Sequence, residues 1–228
     1  MKDQVEALFK LLGEESSRSE EAAMELLLHP DWLVGKPPSQ LMLALNSTGY
    51  DSQSPVFRLA RQWESSSMSE SLLESFFDEK DPQSREHRAW LIKHIVGPTQ
   101  LEAVKRIALS EEESAQVTRL LIEALDRLVF ARMIGWDETK EIVNALKDAP
   151  DPVIREGIVG LLMSLEDNGE KLALLISMLS DSSDFVVAGA ANAISQMKGV
   201  NLDKGLVDNL LSHPSSLVRE SAKKIPTN

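Results

Sequence analysis

His87 and His94 stand seven residues apart with Trp90 between them. On a helix that spacing lays both imidazoles on one face, two turns or about 10 Å apart. One metal ion cannot span such a gap, so the pair alone is no chelate; packing between helices, with one imidazole exposed, is the expected role. His29 and His213 each precede a proline, and no His-Glu-x-x-His zinc motif is present. The chain has no cysteine, which removes disulfides, thiolate metal sites, iron–sulfur clusters and cysteine nucleophiles together. Serines are plentiful, yet none sits in a Gly-x-Ser-x-Gly elbow, and neither a Walker loop nor Gly-x-Gly-x-x-Gly occurs. Glu14-Glu15, Glu20-Glu21 and Asp78-Glu79 are paired carboxylates at turns and helix starts. There they serve as caps or solvated surface, because acid–base catalysis by a carboxylate needs a shielded pocket. No catalytic residue, cofactor ligand or metal ligand is assigned on these grounds.

The elements that would position any site follow from a repeat. A turn with Asp, Pro or Ser is followed by an apolar residue, usually an Arg, and then a helical run of small and apolar residues. It reads Asp151-Pro152-Val153-Ile154-Arg155, Ser183-Asp184-Phe185-Val186-Val187-Ala188 and Pro214-Ser215-Ser216-Leu217-Val218-Arg219, with weaker copies ending at Arg58, Arg88 and Arg119. The steps between anchors 58, 88, 119, 155, 188 and 219 are 30, 31, 36, 33 and 31 residues, a period that marks a helical solenoid.

About fourteen helices in seven antiparallel pairs are expected. Residues 2–12 and 18–28 are amphipathic; His29–Ser39 and Asn46–Ser54 read as loops, and Ser65-Ser66-Ser67 as a short break. Leu101, Val104 and Ile107 mark one helix, with Glu111-Glu112-Glu113 at the start of the next, where acids suit the helix dipole. That next helix is expected to run long, to Met133, which would stretch the step to 36. Leu172, Leu175, Ile176 and Leu179 form one apolar stripe, the turn before Phe185 supplies a cap, and Val187, Ala190, Ala191 and Ile194 face a neighbour. Gly199 reads as a helix stop. One domain is expected over residues 1–228, with 1–50 an irregular N-terminal cap and 51–228 the repeats; terminal repeats of solenoids are atypical because one face meets water.

At Val153-Ile154-Arg155, Val186-Val187-Ala188 and Leu217-Val218-Arg219 the pattern resembles HEAT repeats, including the HEAT-like repeats of the phycobilisome-lyase type. The resemblance covers roughly residues 80–225 and implies an all-α, right-handed superhelix whose second helices line a concave side. It also implies a ladder between repeats, carried over to Asp151 with Arg155, to Asp184 without an Arg partner, and to Arg219 with Ser215 at the matching turn. These arginines are expected to bond turn carbonyls and the carboxylates of adjacent repeats. Deoxyhypusine hydroxylases, which are HEAT-like, bind iron through repeated His-Glu pairs; this chain has none, only the reversed Glu86-His87. Alkylpurine DNA glycosylases are similar in fold, and Arg61, Trp63, Arg85, Arg88, Trp90 and Lys93 form a modest basic–aromatic cluster of the kind they use. Bilin lyases share the repeat type, which keeps a cofactor-chaperone or tetrapyrrole-handling subunit as the enzyme alternative.

Net charge of −12 and a pI of about 4.8 disfavour general nucleic-acid binding, which needs clustered Lys and Arg. No signal-peptide core follows Met1 and no uninterrupted apolar run reaches spanning length, so a cytoplasmic location without a membrane partner is expected. Positions one turn past each anchor should face the concave side: Gln62 and Trp63, Ile92 and Lys93, Glu123 and Arg127, Val159 and Gly160, Asn192 and Gln196. A mixture of aromatic, charged and amide groups suits a protein surface. The expected function is therefore a non-catalytic scaffold without a cofactor, binding a protein or peptide through Arg61, Trp63, Trp90, Lys93, Glu123, Arg127, Asn192 and Gln196.

Overall fold

Helix after helix begins on a short polar side chain that accepts from a free amide, often with proline next. Ser54 accepts from Phe57 N ahead of Pro55, Asp81 from Ser84 N ahead of Pro82, and Asp151 from Val153 N ahead of Pro152. Proline suits the first helical position, where its missing N–H would have had no partner. The computed structural model describes residues 2–14, 17–33, 39–47, 50–63 and 65–226. Among these it contains fourteen α-helices and no strand: α1 (Lys2–Leu12), α2 (Ser17–Leu28), α3 (Ser39–Ser47), α4 (Pro55–Gln62), α5 (Ser65–Asp78), α6 (Pro82–Ile95), α7 (Leu101–Ala108), α8 (Ala115–Phe130), α9 (Trp136–Leu146), α10 (Pro152–Ser164), α11 (Gly169–Met178), α12 (Asp184–Gln196), α13 (Lys204–Leu211) and α14 (Ser216–Ala222). Short 3-10 turns cover Pro30–Leu33 and Pro98–Gln100. The expected all-helical architecture is present, with helices packing on their sequence neighbours in a solenoid-like arrangement.

The chain forms two compact units, Met1–Ile107 and Ala108–Asn228. In the first, α1 packs on α2, α2 on α4 and α5 on α6, around Leu12, Leu26, Leu41, Leu45, Phe57 and Phe76. In the second, the even helices pack one on the next, α8 on α10, α10 on α12 and α12 on α14, while α9, α11 and α13 lie against α10, α12 and α14. Being flanked by several helices explains α12: Val186, Val187, Ala188, Ala190, Ala191, Ala193 and Ile194 are all buried, as in a helix that is apolar nearly all round.

Close approach depends on missing side chains. A Cβ on Gly157 of α10 would stand 3.5 Å from Ile122 of α8, and one on Gly189 of α12 only 2.9 Å from Val159 of α10.

Several local expectations need correction. Ser65–Ser67 are not a break but the first residues of α5; the interruption precedes them. The acids Glu111–Glu113 lie in the turn ahead of α8, whose cap is Ser114. α8 stops at Phe130 rather than Met133, because Arg132 takes a positive φ of 57°. Arg132 N bonds Val129 O and Met133 N bonds Leu128 O, the pair of contacts that defines a Schellman stop. Ile176 is exposed, and Met178 and Lys171 join Leu175 in facing inward. Ser183 precedes α12 without a side-chain cap bond; Asp181 instead accepts from Ser183 N. Gly199 does lie past α12 at a φ of +72°. Of the N-terminal loop, residues 34–38 lie outside the described residues.

Candidate functional site

The repeat's arginine has a fixed register in space. Counting four residues from each cap gives Arg58, Arg85, Thr118, Arg155, Val187 and Arg219, each with its N–H on the cap carbonyl. Arg155 and Arg219 each donate to the carbonyls five and six residues back, Pro150 and Ala149 in one case and Pro214 and His213 in the other. Arg85 does the same to Glu79 O at 2.5 Å, so the anchor of α6 is Arg85 and not Arg88, which lies one turn further on. Arg88 instead pairs with Glu79 at 2.7 Å and donates to Ser75 O.

The ladder is complete at one rung. Arg155 Nε and Nη2 meet Asp181 Oδ2 and Oδ1, both at 2.7 Å, joining the turn before α10 to the turn before α12. Both side chains are about nine-tenths buried, at 10% and 11% exposure. The Arg155 hydrogen bonds hold the Asp181 carboxyl below the usual carboxylate range, and the same bonds raise Arg155. Asp151 is the helix cap rather than the ion-pair partner. Asp184 is exposed in the first turn of α12, outside the ladder. A second link went unforeseen: the buried Lys171 donates to Leu165 O at 2.7 Å and Asp167 Oδ1 at 3.0 Å, while Asp167 Oδ2 accepts from Lys198 N. The Lys171 bond lowers the Asp167 carboxyl.

The residues expected to bind a partner divide between the units. In the first unit Trp63 is only 2% exposed, edge-on to Phe9 at 5.6 Å. It fills the core and cannot touch a partner. Ile92 and Val159 are likewise buried. Arg61 is exposed at the end of α4, and Lys93 is half-buried on α6. Trp90 is half-buried within a ring cluster: Phe57 at 5.1 Å, Tyr50 at 5.6 Å, His94 at 4.9 Å and a stacked His87 at 6.1 Å. Both histidines thus pack on the tryptophan, and burial, then Glu86, raises the Tyr50 phenol. Among the described residues no three His, Asp or Glu side chains converge to hold a metal, and no helix is long and apolar enough to cross a membrane.

In the second unit Glu123 and Arg127 of α8 and Asn192 and Gln196 of α12 do share a type of surface. Helical spacing places Arg119, Glu123, Arg127 and Phe130 on one stripe of α8. It likewise aligns Glu156, Gly160 and Met163 on α10, and Phe185, Gly189, Asn192 and Gln196 on α12. All of these are at least partly exposed, although a Cβ added to Gly189 would meet Val159 of α10. Arg119 ties the first two stripes, bonding Glu123 at 3.0 Å and approaching Glu156 at 3.9 Å. A Cβ on Gly160 would meet nothing within 4 Å, so this stripe is open to solvent at the centre of α10.

Where α8 ends, the surface deepens into a groove of about 710 Å³ between the α8–α9 turn and the α10–α11 turn. Phe130 and Met133 stand at it 82% and 56% exposed. Val129, Ile134, Trp136 and Leu165 supply further apolar lining, and Glu138, Glu166, Asp167 and Arg132 the charged groups. Trp136 is held by its indole N–H on Glu170 Oε2 at 3.0 Å. These groove residues were not singled out from sequence; the signal was the apolar string Met133-Ile134-Gly135-Trp136, which reads as a helix tail until the stop at Arg132 is known. No protein-family model matches the chain, and no curated protein sequence matches it.

Proposed function

We propose that this protein is a non-catalytic scaffold that binds a protein or peptide partner on the outward stripe of α8, α10 and α12. The observation that carries the reading is that stripe itself. Three helices locked together by Gly157, Gly189 and the Arg155–Asp181 pair present Arg119, Glu123, Arg127, Asn192 and Gln196 beside the exposed Phe130 and Met163. A rigid surface loses little conformational entropy on binding, and exposed apolar side chains grouped beside polar ones are what recognition surfaces offer. The HEAT-like repeat supports the same role, since such units collect contacts over several helices.

Gly160 allows a direct test. Arginine there projects into open space and replaces the poorest non-proline helix former, so Gly160→Arg should block the stripe while the melting temperature holds or rises. Proteins captured from native lysate by the tagged wild type should be lost by the variant. Equal recovery on both would remove the stripe as the binding surface.

A further inference from the structure

The groove at the end of α8 favours a particular partner chemistry. Its apolar part is made of an exposed phenylalanine and methionine, a tryptophan, and the buried Val129 and Leu165. Its volume falls within the range of pockets that take a ligand or a few side chains. Phe130 projects from the last turn of α8, and Met133 follows Arg132, which occupies the left-handed conformation where glycine is usual. Strain of this kind persists where the surrounding structure over-determines it.

The charged lining is unequal. Among the described residues the lining holds Glu138, Glu166 and Asp167 against one cation, Arg132. Asp167 is already engaged by Lys171 and by Lys198 N, and one oxygen of Glu138 accepts from Gly135 N. Glu170, the carboxylate that fixes Trp136, adds negative charge next to the lining. Glu166 is exposed on the α10–α11 turn. The chain as a whole carries −12, so long-range attraction has the same sign.

From apolar depth and acidic rim together, we infer that this groove receives a peptide segment of a partner protein in which a bulky apolar side chain lies beside a lysine or arginine. The apolar group fills the space between Phe130, Trp136 and Leu165, and the basic group meets Glu166. This rests on the scaffold reading and names the chemistry of its partner.

The test selects random short peptides, displayed on phage, against the immobilised full-length chain, then measures the enriched peptides by fluorescence anisotropy. Enriched sequences should pair an aromatic or aliphatic residue with Lys or Arg. Binding should weaken about tenfold in Phe130→Ser, and comparably in Glu166→Lys, with the second deficit shrinking as salt is raised. Both positions are exposed, so circular dichroism should be unchanged. Three results would overturn the inference: no enrichment, enrichment of acidic peptides, or affinities that neither variant alters. A concentration-dependent dimer that Phe130→Ser dissolves would also overturn it, by making a second copy the occupant. Failure here with lysate capture still lost in Gly160→Arg removes the groove and leaves the stripe; loss of both readings requires both experiments to fail.

Discussion

Arg155 has two jobs that a repeat motif does not separate. Its guanidinium satisfies the last carbonyls of its own turn, Ala149 and Pro150, and its fork meets Asp181 26 residues away. Sequence pointed to an arginine that bonds turn carbonyls and a neighbouring carboxylate, and that is its role. The identity of the carboxylate was not legible, because Asp151 sits closer along the chain but spends its oxygen on the helix start. Removing one partner of a buried pair leaves the other charge stranded, so Arg155→Ala should lower unfolding free energy by about 3 kcal/mol, measured by urea denaturation. The Asp181 carboxyl titrates below its ordinary value in the folded chain, so its contribution is complete above the unfolded value of about 4 and disappears as pH falls through the lower folded value. The stability gap between wild type and Arg155→Ala should therefore be widest near neutral pH and narrow as acid protonates the Asp181 carboxyl, first in the variant, where burial is no longer offset by Arg155. A gap independent of pH down to full protonation would show that Arg155 acts through its carbonyl bonds alone.

At the scale of helices, the even-numbered elements of the second unit stand close because selected positions lack a side chain. Gly189 and Gly160 make opposite predictions from the same substitution. Alanine at Gly160 has open space and should stabilise by about 1 kcal/mol through helix propensity. At Gly189 the new methyl would come within 2.9 Å of Val159 Cγ1, and Val159 is itself buried and β-branched, with little rotamer freedom to yield. Gly189→Ala should destabilise by about 1 kcal/mol, the overpacking penalty exceeding the propensity gain. Thermal melts of the two variants decide this; shifts of the same sign would refute the packing account. Helix positions were largely legible from apolar spacing and from Asp, Ser and Pro at the starts. Phase was less so: Arg88 looked like the anchor of α6, but the cap at Asp81 fixes Arg85 there, and only a known cap distinguishes residues one turn apart. The end of α8 was misread for a related reason, since an arginine in the left-handed conformation leaves no mark in the sequence where a glycine would.

At the scale of the whole molecule, the two units each hold their own core. Residues 108–228 expressed alone should therefore melt as one cooperative transition with helical circular dichroism; a non-cooperative loss of helix would show that this core needs the first unit. By itself the sequence determined an all-helical chain of paired, capped helices, because periodicity of apolar residues and the chemistry of free helix ends are local properties written within a dozen residues. Its offset of one turn past each anchor named Glu123, Arg127, Asn192 and Gln196 for a concave side; these four are at least partly exposed, but the same offset also named the buried Trp63, Ile92 and Val159. Only the tertiary structure decided that Trp63 is core while Phe130 is surface, that Arg155 finds Asp181, and that two turns distant in sequence enclose a groove. Those outcomes depend on which side chains meet across helices, and burial and pairing between distant segments are properties of the packed chain that no local spacing carries.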